Sequence, residues 1–347
     1  MAVSQLKKYS SADVSAPVIN GNAGSLGAAL KAILVDGYGV QTPAGWTEPV
    51  AAASNIYSFV NGTGSSQKAV VVNDNAPNVT SLGKEAWITG WESVASVTAP
   101  VGTGSGQFPT PAQLLTTGHA VIRKSTATGI TARTWRCFAD AHTCYMFIDT
   151  GDFASTYFPF YLGDLFAAAG VSDTYRFFVQ GRAAENSTSA GSSLDVTDCF
   201  PYTSNLGIDL MLTSNAGIYM PRTSAGTGTS INMYRTGDCD KIIVNSPYNN
   251  IVNNRPQSGA IVAPNTDDNA YYLSAVQIMQ KTGAGTFTIR GICRGMWFPL
   301  HPITAFTDGQ VLSGAGLYAG KTFEVVKQGP TAGVWFIETS NTVTYNT

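Results

Sequence analysis

Charged residues are scarce in this sequence. Only 12% of its 347 residues are Asp, Glu, Lys or Arg, against the ~25% that is usual for a soluble domain. The 20 basic and 22 acidic residues leave a formal net charge of −2, which argues against nucleic-acid binding because that function needs a basic face. Since a weakly charged surface tends to associate, the composition favours a subunit buried in an assembly. A surface of many uncharged polar residues is the alternative.

Paired cysteines and long apolar runs are also missing. The five cysteines form no C-x-x-C pair, which excludes zinc ribbons and thioredoxin-type motifs. Cys137 and Cys144 are spaced to face each other across a hairpin, but the simpler expectation is free buried thiols in a reducing cytoplasm. No run of 18 apolar residues predicts a membrane helix, and no apolar segment follows Lys7 and Lys8 as in a signal peptide. We therefore expect assembly in a cytoplasm, without a membrane partner.

Patterns that carry catalysis are few. The chain contains three histidines: His119, His142 and His301. None has zincin spacing, and neither a nucleophile elbow nor a phosphate-binding loop is present. Three pairs of acidic residues stand close in sequence: Asp149/Asp152, Asp238/Asp240 and Asp267/Asp268. Turn aspartates usually bond to their own backbone, so the sequence predicts no catalytic, cofactor-binding or metal-binding residue and no enzyme. A calcium site at either of the last two pairs and paired glycosidase carboxylates are the alternatives.

One helix is predicted near the start of the chain, over residues 25–35. Its apolar residues recur at helical spacing and form one face: Leu26, Leu30, Ile33 and Leu34. Ser25 is placed to act as the N-cap, and Gly37 is suited to end the helix.

Most of the remaining chain predicts short antiparallel strands separated by turn signals. The clearest are centred on 56–60, 68–72, 86–91, 120–123, 135–139, 144–148, 175–179, 287–293, 323–326 and 334–338. Residues 98–108 are predicted as a loop, and short helices are predicted after Thr110 and over 161–166. Residues 271–279 fit either a helix or a strand, and the surrounding β-branched and aromatic residues favour a strand. The expected fold class is mainly β, with antiparallel β-sandwich or barrel-like domains and a few short helices.

The composition along the chain predicts four segments. Residues 1–24 are polar and read as an extended N-terminal arm that ties down on a neighbouring subunit, with a frayed terminus as the alternative. Residues 25–182 form a β-rich domain with short helices. Residues 183–205 form a polar linker or excursion, and 206–347 form a second β-rich domain.

Glycine and aromatic signatures run through the chain in order. The opening carries APVING (16–21), AILVDGYG (32–39) and AGWT (44–47); the middle carries AWITGW (86–91), QFPT (107–110) and ARTW (132–135); the end carries RGMWFPLH (294–301), AGKTF (319–323) and WFIETS (335–340). Together they resemble a widespread family of tailed-bacteriophage virion structural proteins. The match is poorer over residues 55–72 and 183–270.

The resemblance implies a non-enzymatic structural component of a tailed-phage virion, in the tail, neck or baseplate. Such a chain would assemble in the host cytoplasm through repeated subunit contacts, with other copies of itself and other virion proteins as partners. A capsid decoration or cement protein on the head is one alternative. A tail-tip protein that binds host-surface glycan through aromatics near its loops is another. The resemblance carries over no catalytic residue and no cofactor.

Overall fold

The fold was analysed in a computed structural model of the chain. It describes residues 5–77, 83–114, 116–151, 157–168, 170–181, 218–228, 231–235, 273–283, 286–299, 306–327 and 334–340. Within these ranges the protein is mainly β, and its strand pairs are antiparallel. The predicted fold class is confirmed.

The strands are named in chain order. They are β1 (Lys7–Ser10), β2 (Ile56–Val60), β3 (Ala69–Asn73), β4 (Glu85–Ser96), β5 (Thr103–Phe108), β6 (Ala120–Arg123), β7 (Trp135–Ala139), β8 (Thr143–Asp149), β9 (Tyr157–Asp164), β10 (Phe166–Ala167), β11 (Phe177–Gln180), β12 (Ile218–Met220), β13 (Ile231–Arg235), β14 (Leu273–Gly283), β15 (Thr286–Pro299), β16 (Val311–Ser313), β17 (Thr322–Lys327) and β18 (Val334–Glu338). Thirteen of them form one sheet, in the order β1-β7-β8-β9-β11-β12-β13-β14-β15-β18-β17-β16 with β10 beside β15. The other five form a smaller sheet, β2-β3-β4-β5, with β6 also paired to β4.

The predicted helix is confirmed, with two differences. α1 spans Ser25–Lys31 and continues as a π-helical turn over Ala32–Asp36, which Gly37 ends at φ 81°. All four predicted core residues of this helix are fully buried. The predicted N-cap is wrong, because Gly24 holds that position at φ 84° and the Ser25 hydroxyl donates to the carbonyl of Asn20 instead.

The middle strands of the long sheet are buried on both faces. One face of β7, β8, β9 and β11 packs on α1 and the smaller sheet in a core that includes Trp135, Met146 and Phe177. The opposite face packs on β14, β15, β17 and β18 in a second core, which includes Phe178 and Trp335. The long sheet therefore folds back over itself, and the chain forms a sandwich of three β layers.

Two predictions failed at strands whose side chains hide the period-two signal. Residues 161–166 were expected to be helical, but they belong to β9 and β10. Phe158 and Phe160 on β9 face one core while Tyr161 faces the other, so the strand reads as a continuous apolar run rather than an alternating one. Residues 98–108 were expected to be a loop, but β5 begins at Thr103.

Gly90 has a packing role where β4 pairs with the edge strand β5 of the smaller sheet. A Cβ at Gly90 on β4 would lie 2.2 Å from the Phe108 ring on β5, so only glycine leaves room for that ring.

The helix expected after Thr110 is a turn, in which the Gln113 side chain accepts the backbone N–H of Thr110 at 2.9 Å.

The N-terminal arm, where it is described, belongs to the chain's own fold. β1 pairs with β7, with Tyr9 opposite Cys137, and the side chain of Gln5 donates to the carbonyl of Thr339 at 2.7 Å. Residues 5–24 thus contact their own chain, and the expectation that they also tie down on a neighbouring subunit stays a prediction. Strands from both predicted domains share the long sheet, while the predicted linker 183–205 lies outside the described residues.

A buried ion pair joins the start of α1 to the ends of β3 and β6 in the smaller sheet. The Asp74 carboxylate, just after β3, accepts the N–H groups of Leu26 and Gly27 at 2.8 and 3.1 Å. It also forms an ion pair with Lys124, which follows β6, and both side chains are fully buried. Burial raises the pKa of Asp74 and lowers the pKa of Lys124, while their mutual attraction opposes both changes.

Replacing Lys124 with Met should strongly destabilise the protein. The change leaves the Asp74 charge buried without its partner, which typically costs about 3–5 kcal/mol in free energy of unfolding. Lys31→Met is the matched control, because its partner Glu48 lies in a partly exposed pair and such pairs contribute about 0–1 kcal/mol. Urea unfolding of both variants tests this, and equal losses would contradict it.

Candidate functional site

The titratable residues singled out in the sequence serve the fold wherever the structure describes them. His119 stacks on Trp87 with ring centroids 3.8 Å apart, and burial lowers its pKa to about 3. The Asp149 carboxylate accepts the backbone N–H of Gly151 at 3.0 Å, as expected of a turn aspartate. His301, Asp152, Asp238, Asp240, Asp267 and Asp268 lie outside the described residues.

Neither a metal centre nor a membrane helix is found in the part of the chain that the structure describes. No group of three or more His, Cys, Asp and Glu side chains is close enough there to hold a metal ion. No helix there has the length and apolar character needed to cross a membrane.

Asp164 is the centre of a buried polar cluster that the sequence did not reveal. At the end of β9, its carboxylate accepts the side-chain N–H of Asn61 and the backbone N–H of Ser66, both at 2.8 Å. Arg176 forms an ion pair with it at 2.9 Å, and His142 lies 3.9 Å away. The cluster connects the 61–66 loop of the smaller sheet to the long sheet, so the role of these polar groups is structural.

The Asp164 cluster should make stability depend on pH. Burial alone would raise the pKa of Asp164, but the proximity of His142, the hydrogen bonds from Ser66 and the charge of Arg176 outweigh it and hold the pKa below its usual value. The unfolded chain, with a pKa of about 3.9, therefore binds the proton more tightly. The stabilisation is complete above that pH and is lost as the pH falls through the folded-state pKa.

Asp164→Asn should lower the free energy of unfolding by about 1–3 kcal/mol at neutral pH. The difference from the wild type should shrink as the pH is lowered below about 4. Chemical unfolding measured across pH 3–7 tests this. Asp149→Asn, on a half-buried turn, is the control. A loss for Asp164→Asn that stays constant down to the acid limit would contradict the role of its charge.

The conspicuous aromatic residues of the C-terminal half are engaged within the chain. The indole N–H of Trp297 donates to Glu338 at 3.1 Å, and the Lys321 ammonium lies 5.7 Å from the ring centroid. Tyr318 packs edge-on against Trp297 at 5.8 Å, and its hydroxyl donates to the carbonyl of Leu273. One face of Trp297 is thus covered by a cation, which does not favour it as a stacking platform for a sugar.

Four branched apolar side chains project into solvent beside the β1 end of the long sheet. We call them the N-terminal apolar group: Val14 (81% exposed), Val18 (55%), Val40 (93%) and Ile130 (83%). Single exposed apolar residues are ordinary on protein surfaces, but these four lie on three neighbouring loops. Exposed apolar side chains that occur together mark contact surfaces.

Hydrogen bonds hold two of these loops in one conformation. A single oxygen of Asp13 accepts the N–H of Ser10, the hydroxyl of Tyr38 and the side-chain N–H of Gln41, at 2.9, 2.8 and 3.1 Å. A Cβ at Gly39 would lie 2.5 Å from the Val14 carbonyl oxygen. The loops that carry Val14 and Val40 therefore lie against each other and are already fixed.

The third loop, which carries Ile130, is joined to the same N-terminal segment. The N–H of Arg133 donates to the carbonyl of Ile19 at 2.8 Å, and the N–H of Gly21 donates to the carbonyl of Gly129 at 3.0 Å. The indole N–H of Trp135 donates to the carbonyl of Pro17, next to Val18. The whole surface is therefore anchored to β7 and preorganised for contact, which lowers the entropic cost of association.

No family model matches this chain, and no curated protein matches it either. The resemblance to virion proteins therefore stays a prediction.

Adding charge to the N-terminal apolar group should leave the isolated protein stable. Val40→Asp and Ile130→Asp change side chains that are almost fully exposed, so the free energy of unfolding should change by no more than about 0.5 kcal/mol. Ile33→Asp, in the buried face of the helical segment, should abolish folding. A loss for Val40→Asp of several kcal/mol would show that the residue is covered within the chain.

Proposed function

We propose that the chain is a non-enzymatic structural component of a tailed-phage virion, in the tail, neck or baseplate. The observation that carries the proposal is the N-terminal apolar group, because apolar side chains held on fixed loops suit a surface that a neighbouring subunit covers. The low charge of the chain agrees with this. Its partners are other copies of itself and other virion proteins, assembled in the host cytoplasm.

The fold favours a rigid structural role rather than a mobile one. The middle strands are buried on both faces, and three β layers are tied by buried ion pairs such as Arg294–Asp140 at 2.7 Å and Arg290–Asp173 at 2.9 Å. Interiors packed in this way have low compressibility and transmit strain. A subunit of this kind keeps its contact surface in a fixed orientation while neighbours add around it.

Fractionating purified particles into heads and tails, with the chain counted in each by quantitative mass spectrometry, tests the proposal. Recovery with tails, in a low copy number set by ring symmetry, is the expected result. Recovery with heads in the high copy number of a shell would overturn the tail position in favour of a decoration protein. Absence from both fractions would overturn the virion role.

Charge in the N-terminal apolar group should block incorporation into particles. Burying the unpaired carboxylate of Val40→Asp or Ile130→Asp at an interface costs several kcal/mol, and every 1.4 kcal/mol is about tenfold in affinity, so incorporation should fall at least tenfold. Leu317→Asp is the matched control, since Leu317 is 85% exposed on the 3₁₀ turn between β16 and β17, outside the three loops of the group. Equal incorporation of all three variants would show that the group is not an assembly surface.

A further inference from the structure

Two thiols face each other across the β7–β8 hairpin. Cys137 lies on β7 and Cys144 on β8, in diagonal register, since Cys137 is opposite Met146 and Cys144 is opposite Ala139. Their Sγ atoms are 3.5 Å apart. Both side chains are fully buried in the core between the long sheet and α1. The expectation of free buried thiols is confirmed at both positions, and the hairpin that their spacing allowed is present.

The third described cysteine lies apart from this pair. Cys293 is fully buried on β15, in the core on the opposite side of the long sheet. It therefore serves as a matched control for a buried thiol in the other core.

We propose that Cys137 and Cys144 are a modification site that forms a cross-strand disulfide when the protein meets a low-molecular-weight disulfide such as oxidised glutathione. One thiolate attacks the glutathione disulfide, giving a mixed disulfide and releasing one glutathione thiol. The second protein thiolate then attacks the mixed disulfide and displaces the second glutathione. In total, the two protons of the protein thiols pass to the two glutathione thiols. The protein pair is oxidised, and one glutathione disulfide is reduced to two thiols.

The bond requires a local shift of the backbone as well as of the sulfurs, because diagonal neighbours on antiparallel strands are about 7–8 Å apart and a disulfide spans about 4.4–6.8 Å between Cα atoms. A disulfide requires an S–S distance of about 2.05 Å, so the sulfurs must approach by about 1.5 Å from their present separation. The hairpin already aligns both side chains on one face, and the turn that joins the strands is held by the Asp140 carboxylate, which accepts the N–H groups of His142 and Thr143. No change of strand register is needed.

Access to the pair is controlled by the edge strand β1. Tyr9 lies opposite Cys137 in the β1–β7 ladder and is fully buried in the same core. Its hydroxyl donates to the carbonyl of Thr42 at 2.9 Å. Since β1 pairs only with β7 among the described strands, its release is the local opening that admits the oxidant. The reduced pair thus persists in a reducing cytoplasm, and a copy that leaves that compartment can be locked.

The test is to incubate the full-length protein with oxidised glutathione, quench by alkylation and map the linked peptides by mass spectrometry. The expected product links Cys137 to Cys144 and raises the midpoint of urea unfolding, and dithiothreitol reverses both effects. Cys144→Ser should show neither effect, whereas Cys293→Ser should behave as the wild type does. Glutathione retained on Cys137 without a link, linkage to a different cysteine, or a linked protein of unchanged or lower stability would each overturn the proposal.

A second measurement tests the route of access. Lys8→Glu places a like charge beside Glu324, from which Lys8 lies 2.8 Å away, and so loosens β1 without touching the core. Linking should then proceed several-fold faster while the linked product stays the same. An unchanged rate would exclude β1 as the gate, and this outcome is separate from any result on particle incorporation.

Discussion

The Asp74–Lys124 ion pair is the constraint that positions α1 on the smaller sheet. One carboxylate supplies the first N–H groups of α1 with their acceptor, so the helix begins where the smaller sheet places that carboxylate. Lys124 in turn neutralises a charge that the interior would not tolerate alone. The helix, the end of β3 and the end of β6 are therefore positioned by a single contact, and the apolar face of α1 meets the long sheet in one register. Asp164 has the same function at the other end of the interface, where it joins the 61–66 loop to β9.

Sequence reasoning predicted the elements that have a clear period or clear turn signals. The helix face at Leu26, Leu30, Ile33 and Leu34 stood out because the apolar spacing of 3.6 residues is unambiguous, and β2 stood out between clear turn signals. β7 and β8 were predicted although both of their faces are buried, whereas β9 was missed because Tyr157–Asp164 carries no alternation and its second half was read as a helix. Glycine-rich β5 was missed because its strand character depends on Gly90 and Phe108 together, which is a tertiary contact and leaves no local signal.

The candidate surface was harder to predict than the fold. Val14, Val40 and Ile130 carry only a weak signal in the sequence, namely a branched apolar residue beside a turn residue: Ser15, Gly39 and Gly129. Branched residues beside turns are also common in cores, and only the tertiary structure shows that these point outwards. The contacts of residues 5–24 within the chain were missed for a related reason, because the segments that they contact are distant in sequence.

The hydrogen bond between Gln5 and Thr339 brings the two ends of the described chain into one neighbourhood. Leu6 packs in the same core as Met296 and Ile337, so the segment that precedes β1 acquires these neighbours only after β15 and β18 have been synthesised. Contacts so remote in sequence form slowly and late in folding. A chain released early by the ribosome lacks β17 and β18 and leaves Leu6 uncovered. The packing of Leu6 therefore depends on the presence of the C-terminal strands, so that a chain truncated before β17 differs in its core from one that carries them.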